Sequence, residues 1–468
     1  MDRQAFVVTG LGFGDEGKGT TTHWLSCRNN AHTVIRTGGP QALHHVVTSD
    51  GKEHVFSQFG SGTFRGAATH LSKYMLVEPS AVLHEGEALM YESGMRGVFD
   101  TLTIHEDALV ITPFQAIAGR VRELLRGKNR RGSVGIGVGE TILDAELLGE
   151  NAVRAKDLSS PDLRAKLVAI QKLKWAEFEA YADRASGLPE AVGELVRNEL
   201  SQMNEPDTVQ WAVERFGELA LRVRIVNTDY VADAILGPEG TVVIEGSQGV
   251  LLDRLHGFHP YTTKVRTLPH DAIQLLEKCG YTGEVTSLGV LRAYHTRHGG
   301  GPFTSESEEL TTKLPDAINK DHAWQGSFRV GHFDLVAAKY ALAACGQSSI
   351  DGMVITCLDR VWRPGAWQVC DSYVARSGWE NHKFFEYESG RINGIKPVVP
   401  TALCEHLERQ EQLGRHLQDC SPHLTDLGPT SSVDEFTDLC VSVLEDRLMK
   451  KVVAVSLGPT ERDKVELG

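Results

Sequence analysis

Apolar positions in this 468-residue chain come in short blocks, and block after block ends on glycines or small polar residues. Ala5-Phe6-Val7-Val8 runs towards Gly12-Phe13-Gly14-Asp15-Glu16-Gly17-Lys18-Gly19-Thr20, and His32 to Arg36 runs into Thr37-Gly38-Gly39-Pro40-Gln41. Thr241 to Glu245 delivers Gly246-Ser247-Gln248-Gly249, Glu284 to Tyr294 leads to Arg297 and the glycines at 299 to 301, and Gly352 to Leu358 ends on Asp359. Val452 to Leu457 ends on Gly458-Pro459. Short apolar runs bounded by turn residues predict strands. A further strand is predicted over Met75 to Ser80, ending at a helix start, with a turn at Phe59 to Gly62 and a first helix over Thr21 to Cys27.

Between about Ser160 and Ala220 the period changes. Leu163, Leu167, Ile170 and Leu173 fall near helical spacing, and Pro189 and Pro206 punctuate the stretch. This predicts a helical insertion, a subdomain over 151–225 within one large domain over 1–468. Strands alternating with helices predict an α/β fold: a large mixed, mainly parallel sheet flanked by helices, with a site along its carboxyl edge.

Composition narrows the picture without changing it. Hydrophobic residues at 41% and charged residues at 24% are ordinary for a globular protein. No stretch resembles an 18-residue apolar span, and the chain enters its first strand without a basic leader. Neither membrane association nor secretion is expected, and a cytoplasmic location is. Eight scattered cysteines without a CxxC pair fit reduced thiols. A net charge of −14 argues against nucleic acid as a partner. The local exception, Arg120, Arg122, Arg126, Lys128, Arg130 and Arg131, reads as a solvated helix face or as a wall for an anionic ligand.

The loop Gly12 to Thr20 carries the most specific chemistry. Four glycines in eight residues forgo side-chain packing at an entropic cost, so what they offer is close backbone approach to a bulky guest. Gly12-x4-Gly17-Lys18 has the spacing of a phosphate-cradling P-loop, in which a lysine reaches the terminal phosphates. Gly19 stands where that motif has its Mg2+-binding hydroxyl, and Thr20 comes one residue late. Asp15 and Glu16 are out of place beside phosphate unless they hold a metal or move a proton. The competing reading is a strand-to-helix turn with solvated acids. His44 and His45 follow the second glycine turn; on a strand they face opposite ways, so one alone can serve a given site. Gly132 to Gly139, alternating glycine with other residues, reads as a loop wrapping a ligand or approaching another backbone.

Taken in order, these segments resemble the adenylosuccinate synthetase family. The resemblance rests on Gly14 to Gly19, the Gly-Gly-x-x-Ala-x-His turn from Gly38 to His44, and Glu245 to Asp253. It continues through His256 to Thr263, Ala293 to Phe303, Arg329 to Asp334, and Ser456 to Pro459. It implies a Mg2+-dependent ligase that moves the γ-phosphoryl group of GTP (or ATP) onto the 6-oxo group of a purine nucleoside monophosphate, then displaces phosphate with the amine of L-aspartate.

By the same resemblance Asp15 takes the N1 proton and contacts Mg2+ together with Leu43, His44 hydrogen-bonds the transferring phosphoryl group, and Lys18 neutralises its charge. Gly14, Glu16, Gly17, Gly19, Thr20, Gln41, Ser133, Val134, Gln248, Thr263, Asp359, Ser456, Gly458 and Pro459 fall at nucleotide-binding positions, with Asp359 reading the guanine. Gly299, Gly300, Gly301 and Arg329 fall in the aspartate region. A homodimer whose partner completes the site is implied.

The chain also departs from the family pattern. Gln41 stands for an asparagine, Ser133-Val134 for two threonines, and Cys357 for a lysine. A run of arginines shrinks to Gln325-Gly326-Ser327-Phe328-Arg329, and the arginine lent by a neighbouring subunit aligns near Glu150-Asn151, with Arg154 close by. These departures gather on the acceptor nucleotide and keep GMP or dGMP in play. A viral branch of the family acts on dGMP, but it has serine at the position of Asp15. A nucleotide sensor without catalysis and a plain P-loop hydrolase are the rival readings.

Overall fold

A computed structural model describes residues 2–316, 318–319, 324–346, 349–362, 367–399 and 402–467. The strands are β1 (Arg3–Gly10), β2 (Thr33–Gly38), β3 (His44–Val47), β4 (Glu53–Phe56), β5 (Ala68–Met75), β6 (Leu102–His105), β7 (Arg224–Val226), β8 (Gly240–Gly249), β9 (Glu284–Arg292), β10 (His295–His298), β11 (Phe328–Gly331), β12 (Phe333–Asp334), β13 (Gly352–Thr356), β14 (Gln368–Ala375), β15 (Phe385–Glu388), β16 (Arg391–Ile395), β17 (Cys420–Asp426), β18 (Val452–Ser456) and β19 (Lys464–Glu466).

Ten strands form the central sheet in the order β19-β18-β13-β9-β1-β8-β2-β5-β6-β7. Every pairing in it is parallel except that of β18 with β19. The expected mixed, mainly parallel sheet is therefore present. Its centre is β1, buried from Ala5 to Gly10 between β8 and β9. Chain direction of travel across the sheet differs on the two sides of β1, and ligand crevices of α/β sheets open at such a point, beyond the strands' carboxyl ends. The loop after β1 lies there.

A smaller sheet, β12-β14-β16-β15 with β17 beside β14, packs through a common apolar core that includes Phe333, Val369, Tyr373, Phe385 and Ile392. Helices α1 (Lys18–Arg28), α2 (Pro79–Tyr91), α3 (Pro113–Arg126) and α4 (Val138–Leu148) precede the predicted helical stretch. That stretch is α5 (Leu163–Arg184), α6 (Glu190–Asn204) and α7 (Pro206–Arg222). Leu163, Leu167 and Ile170 are buried in one apolar cluster with Phe114 and Val121 of α3, so the insertion sits on the same core as the sheet's flank.

Four boundaries differ from the sequence reading. Helix α1 starts at Lys18, three residues before Thr21, because Gly17 takes a left-handed conformation (φ 94°) and opens the helix from inside the loop. The strand expected over Met75 to Ser80 is β5, lying upstream. Its buried positions include Thr69, His70 and Ser72, polar residues that conceal a strand from an apolar count. Gly246 to Gly249 continue β8, and Arg297 and His298 belong to β10, where loops were expected.

Candidate active site

The loop from Leu11 to Gly17 is shaped by Glu16. Its Oε1 accepts from the backbone N–H groups of Gly12 at 2.9 Å and Gly14 at 2.7 Å. Its Oε2 lies 2.7 Å from Lys18 Nζ, which also donates to the carbonyl of Gly14 at 2.7 Å. Burial works to raise the Glu16 carboxyl, but Lys18 and the loop amides outweigh it and hold it below its ordinary range. A Cβ at Gly10 would come 2.3 Å from Glu16 Oε2, so any larger residue there would push the Glu16–Lys18 pair out of place. Thr356, at the end of β13, donates to the Glu16 carbonyl at 2.6 Å and ties the loop to the sheet.

His44 and Glu245 form a second buried group. The Nδ1 of His44 is 2.6 Å from Glu245 Oε1, and Arg36 approaches Glu245 Oε2 at 3.5 Å. Ser61 donates its N–H to Oε2 at 3.0 Å and its hydroxyl to Oε1 at 2.5 Å. Burial alone would raise the Glu245 carboxyl. The charges of Arg36 and His44 reverse this, and it is pushed down to about 2. Burial, with Arg36 and Lys18 nearby, pushes His44 down to about 4 against the pull of Glu245. Its other ring nitrogen, Nε2, is buried without a partner. A Cβ at Gly19 would meet the His44 Cβ at 2.8 Å, so that glycine lets α1 close onto the histidine. His45, on the opposite face of β3, pairs instead with the exposed Glu53.

Asp15 lies at the mouth of the loop. Its carboxylate Oδ2 is 3.6 Å from His298 Nε2, and its carbonyl accepts from Arg292. Leu43 is 61% exposed and has only its peptide carbonyl to offer a cation. One carboxylate and one carbonyl suit Mg2+, which keeps waters and takes phosphate oxygens from a substrate.

Other expected residues join these in part. Gly14 abuts the backbone of Gln248, which adopts φ 53° and leaves its amide oxygen buried without a partner. Gln41 donates to Thr263 Oγ1 at 3.3 Å, and its own amide oxygen is likewise unpartnered. Thr20 and Ser456 meet through Lys464, whose Nζ donates to their hydroxyls at 3.0 and 3.2 Å. Ser456 bonds the carbonyl of Gly458 at 2.9 Å, with Pro459 following, and Asp359 lies on a short helix, Leu358–Trp362, after β13.

Gly299 packs on the Gln325 carbonyl and Gly300 and Gly301 on Tyr261. Arg329 bonds Gly301 O at 3.2 Å and pairs with Glu306 at 2.6 Å. Ser133 spends its hydroxyl accepting from Gly135 N, and Val134 offers no polar side chain. Arg154 is turned onto the Asp107 carbonyl at 2.9 Å. Of the basic cluster, Arg120 pairs with Glu199, Arg122 with Glu140 and Arg126 with Glu123, which favours the helix-face reading for these three.

Sequence reasoning missed Arg36, Thr356, His298 and Lys464, and gave Glu245 no role of its own. Glu245 carried a signal, an acid closing an apolar strand. The others sit in segments whose neighbours lie far along the chain.

The adenylosuccinate synthetase family model matches residues 7–464. The chain belongs to the adenylosuccinate synthetase family. Adenylosuccinate synthetase of Chlorobium limicola is 29% identical over 99% of this chain and 97% of its own. That of Chlorobium chlorochromatii is 31% identical over 85% of this chain and 86% of its own. Among solved structures, fully ligated adenylosuccinate synthetase from Plasmodium falciparum superposes with a TM-score of 0.74 at 19% identity, covering 99% of each chain. The succinoaminodeoxyadenylate synthetase of cyanophage S-2L, bound to dGMP and dATP, gives 0.55 at 17% identity over 100% of this chain and 96% of its own. Members of this family are ligases that form a C–N bond between a purine nucleotide and aspartate, and this chain is such an enzyme.

Proposed function

We propose that the protein uses GTP and Mg2+ to phosphorylate the 6-oxo group of a purine nucleoside monophosphate, IMP or a close relative, and displaces the phosphate with the amine of L-aspartate. The observation carrying this reading is the His44 ring, held by buried Glu245 and presenting an unpartnered Nε2 beside the phosphate loop. With Nδ1–H given to Glu245, the neutral ring has a lone pair at Nε2. A phosphoryl group arriving there brings negative charge, which raises the ring's proton affinity. The protonated ring then donates from both nitrogens, to Glu245 and to the migrating phosphoryl.

Asp15, partly exposed at the loop's mouth, takes the N1 proton of the base, so that charge moves to the 6-oxygen that attacks. Asp15 and the Leu43 carbonyl would hold Mg2+, which would supply charge neutralisation to the transferring phosphoryl group. Lys18, which reaches the Gly14 carbonyl inside the loop, neutralises the charge of the transferring phosphoryl group. The glycines at 299 to 301 with Arg329 receive aspartate, Arg329 offering a guanidinium to its carboxylates. We assign Asp359, Ser456, Gly458 and Pro459 to the donor's base. Gln41, Ser133, Val134 and Thr263 fall to the acceptor, and Gln248 faces the reacting centre. We also propose a homodimer and the 151–225 stretch as a subdomain.

A second reading keeps the chemistry and changes the acceptor to GMP or dGMP. Two buried amide oxygens without donors, on Gln41 and Gln248, suit a ligand richer in N–H groups than hypoxanthine. Phosphate release with aspartate, Mg2+ and either GTP or ATP, measured across IMP, GMP and dGMP, separates the two. Turnover with IMP alone supports the first, turnover with a guanine nucleotide supports the second, and silence across the panel overturns both.

A further inference from the structure

The buried cations of this protein fall into two kinds. Lys18 faces Glu16 at 2.7 Å, Arg36 faces Glu245 at 3.5 Å, and Lys174 faces Glu140 and Asp144 at 2.8 and 2.6 Å. Each of these charges meets a carboxylate, as removal from water demands; Arg297 and Lys464 do not, but Arg297 gives its guanidinium to the carbonyls of Pro302 and Tyr261 and lies over the Phe13 ring. Lys464 on β19 is 8% exposed, yet its ammonium donates to two neutral hydroxyls, Thr20 Oγ1 and Ser456 Oγ. Among the described residues no carboxylate forms an ion pair with it. The adjacent Asp463 turns its carboxylate to the N–H and hydroxyl of Thr460, at 2.8 and 2.7 Å. Burial pushes the ammonium down to about 8.

Its position adds to the imbalance. Thr20 lies in the first turn of α1, whose N-terminus already carries partial positive charge and whose first turn holds no acid. Two positive sources thus converge between the phosphate loop and the segment after β18. Cys357, which stands where the family resemblance expects a lysine, follows β13, which pairs with β18, the strand that β19 and Lys464 run beside. An ammonium has three N–H donors, and two are spent on hydroxyls.

We propose that Lys464 is a donor-binding residue, its ammonium meeting an anionic oxygen of the nucleoside triphosphate's phosphate chain at the start of α1. The positive charge missing at position 357 is supplied from β19. This rests on the reading of the loop as a triphosphate site, and it is independent of the acceptor's identity.

Calorimetric titration of GTP and of guanosine, each with Mg2+, into the wild type, K464M and K464R tests it. K464M should bind GTP about tenfold to a hundredfold more weakly, the scale of one charge-assisted hydrogen bond, while guanosine binding stays as in the wild type. K464R should recover part of the loss. Without ligand, K464M should melt no lower than the wild type, because an uncompensated buried charge has been removed. Equal GTP affinity in the wild type and K464M overturns the assignment of Lys464 alone. So does a K464M protein that is destabilised without ligand and loses guanosine and GTP alike, which marks a structural role. A wild type that binds neither GTP nor ATP, titrated in the same way, overturns the reading of the loop itself, and this inference with it.

Discussion

The donor side and the acceptor side of the site are built differently. On the donor side the key groups stand on or against strands of the central sheet: Glu16 and Lys18 around the end of β1, Glu245 on β8, Thr356 on β13 and Lys464 on β19. They are buried; Glu245, Thr356 and Lys464 are fixed by contacts from segments distant in the sequence, while Glu16 and Lys18 hold each other and the loop between them. On the acceptor side the groups sit on connecting segments. Ser133 is exposed, Val134 has no polar atom to give, and Gln41, on the turn after β2, bonds Thr263 and leaves its amide oxygen unpartnered. A change on the first side disturbs a buried network, whereas a change on the second alters a surface loop that the core does not feel. The transfer chemistry is thereby tied to the fold, and the choice of acceptor is left free to drift.

The sharpest way to break this comparison is at Asp15. Asp15→Asn should lower turnover by about 10³-fold or more, the scale of a lost general base, while GTP binding persists. Steady-state phosphate release with the best acceptor, beside GTP titration, checks it, and near-wild-type turnover would sink the catalytic reading. Next is Glu245→Gln, which leaves His44 an uncharged partner in place of a carboxylate. It should cost about 10²- to 10³-fold in kcat, and the upward shift of the His44 pKa on binding GTP, followed by imidazole NMR, should shrink.

The same pair gives a pH signature. Glu245 is held at about 2 in the fold, below an unfolded value of 4.5, so its stabilisation is present above about pH 4.5 and lost as pH falls towards 2. His44 is held at about 4, below an unfolded value of 6.5, so the unfolded chain binds the extra proton between those values. Stability therefore falls with acid through that window as well. Denaturant midpoints measured from pH 7 to pH 3 should decline more gently for His44→Gln than for the wild type. A further test of the donor side is Lys18→Met, which strands Glu16 and should cost about 3–5 kcal/mol in urea unfolding.

The smallest expected effect lies on the acceptor side. Val134→Thr restores a hydroxyl and should lower the acceptor KM by several-fold with kcat and melting temperature nearly unchanged, about one hydrogen bond's worth. A large loss of stability there would erase the contrast between the two sides.

The sheet was legible from apolar runs at β1, β2, β8, β9, β13 and β18, and Gly12 to Thr20 announced phosphate chemistry by spacing alone. Strand β5 was not, because Thr69, His70 and Ser72 are buried by pairing with neighbours that no local pattern reveals. Lys464 looked like an ordinary charged residue near the end of the sequence, and only the antiparallel return of β19 along β18 brings it to Thr20. Glu16 read as a solvated acid or a metal ligand, whereas the fold turns it inward as the loop's internal staple.

The place of β1 between β8 and β9 has a consequence for how the protein comes into being. Synthesis delivers the phosphate loop well before its walls, the strands β8 and β9, which emerge more than two hundred residues after it. Until they arrive, Gly12 to Gly17 have neither the pairing that anchors them nor the partners that set their curvature. Non-local pairing of this kind is slow to form, so a nascent chain should pass through a long interval in which the phosphate loop is inert. Nucleotide can then bind only chains whose central strands have already met.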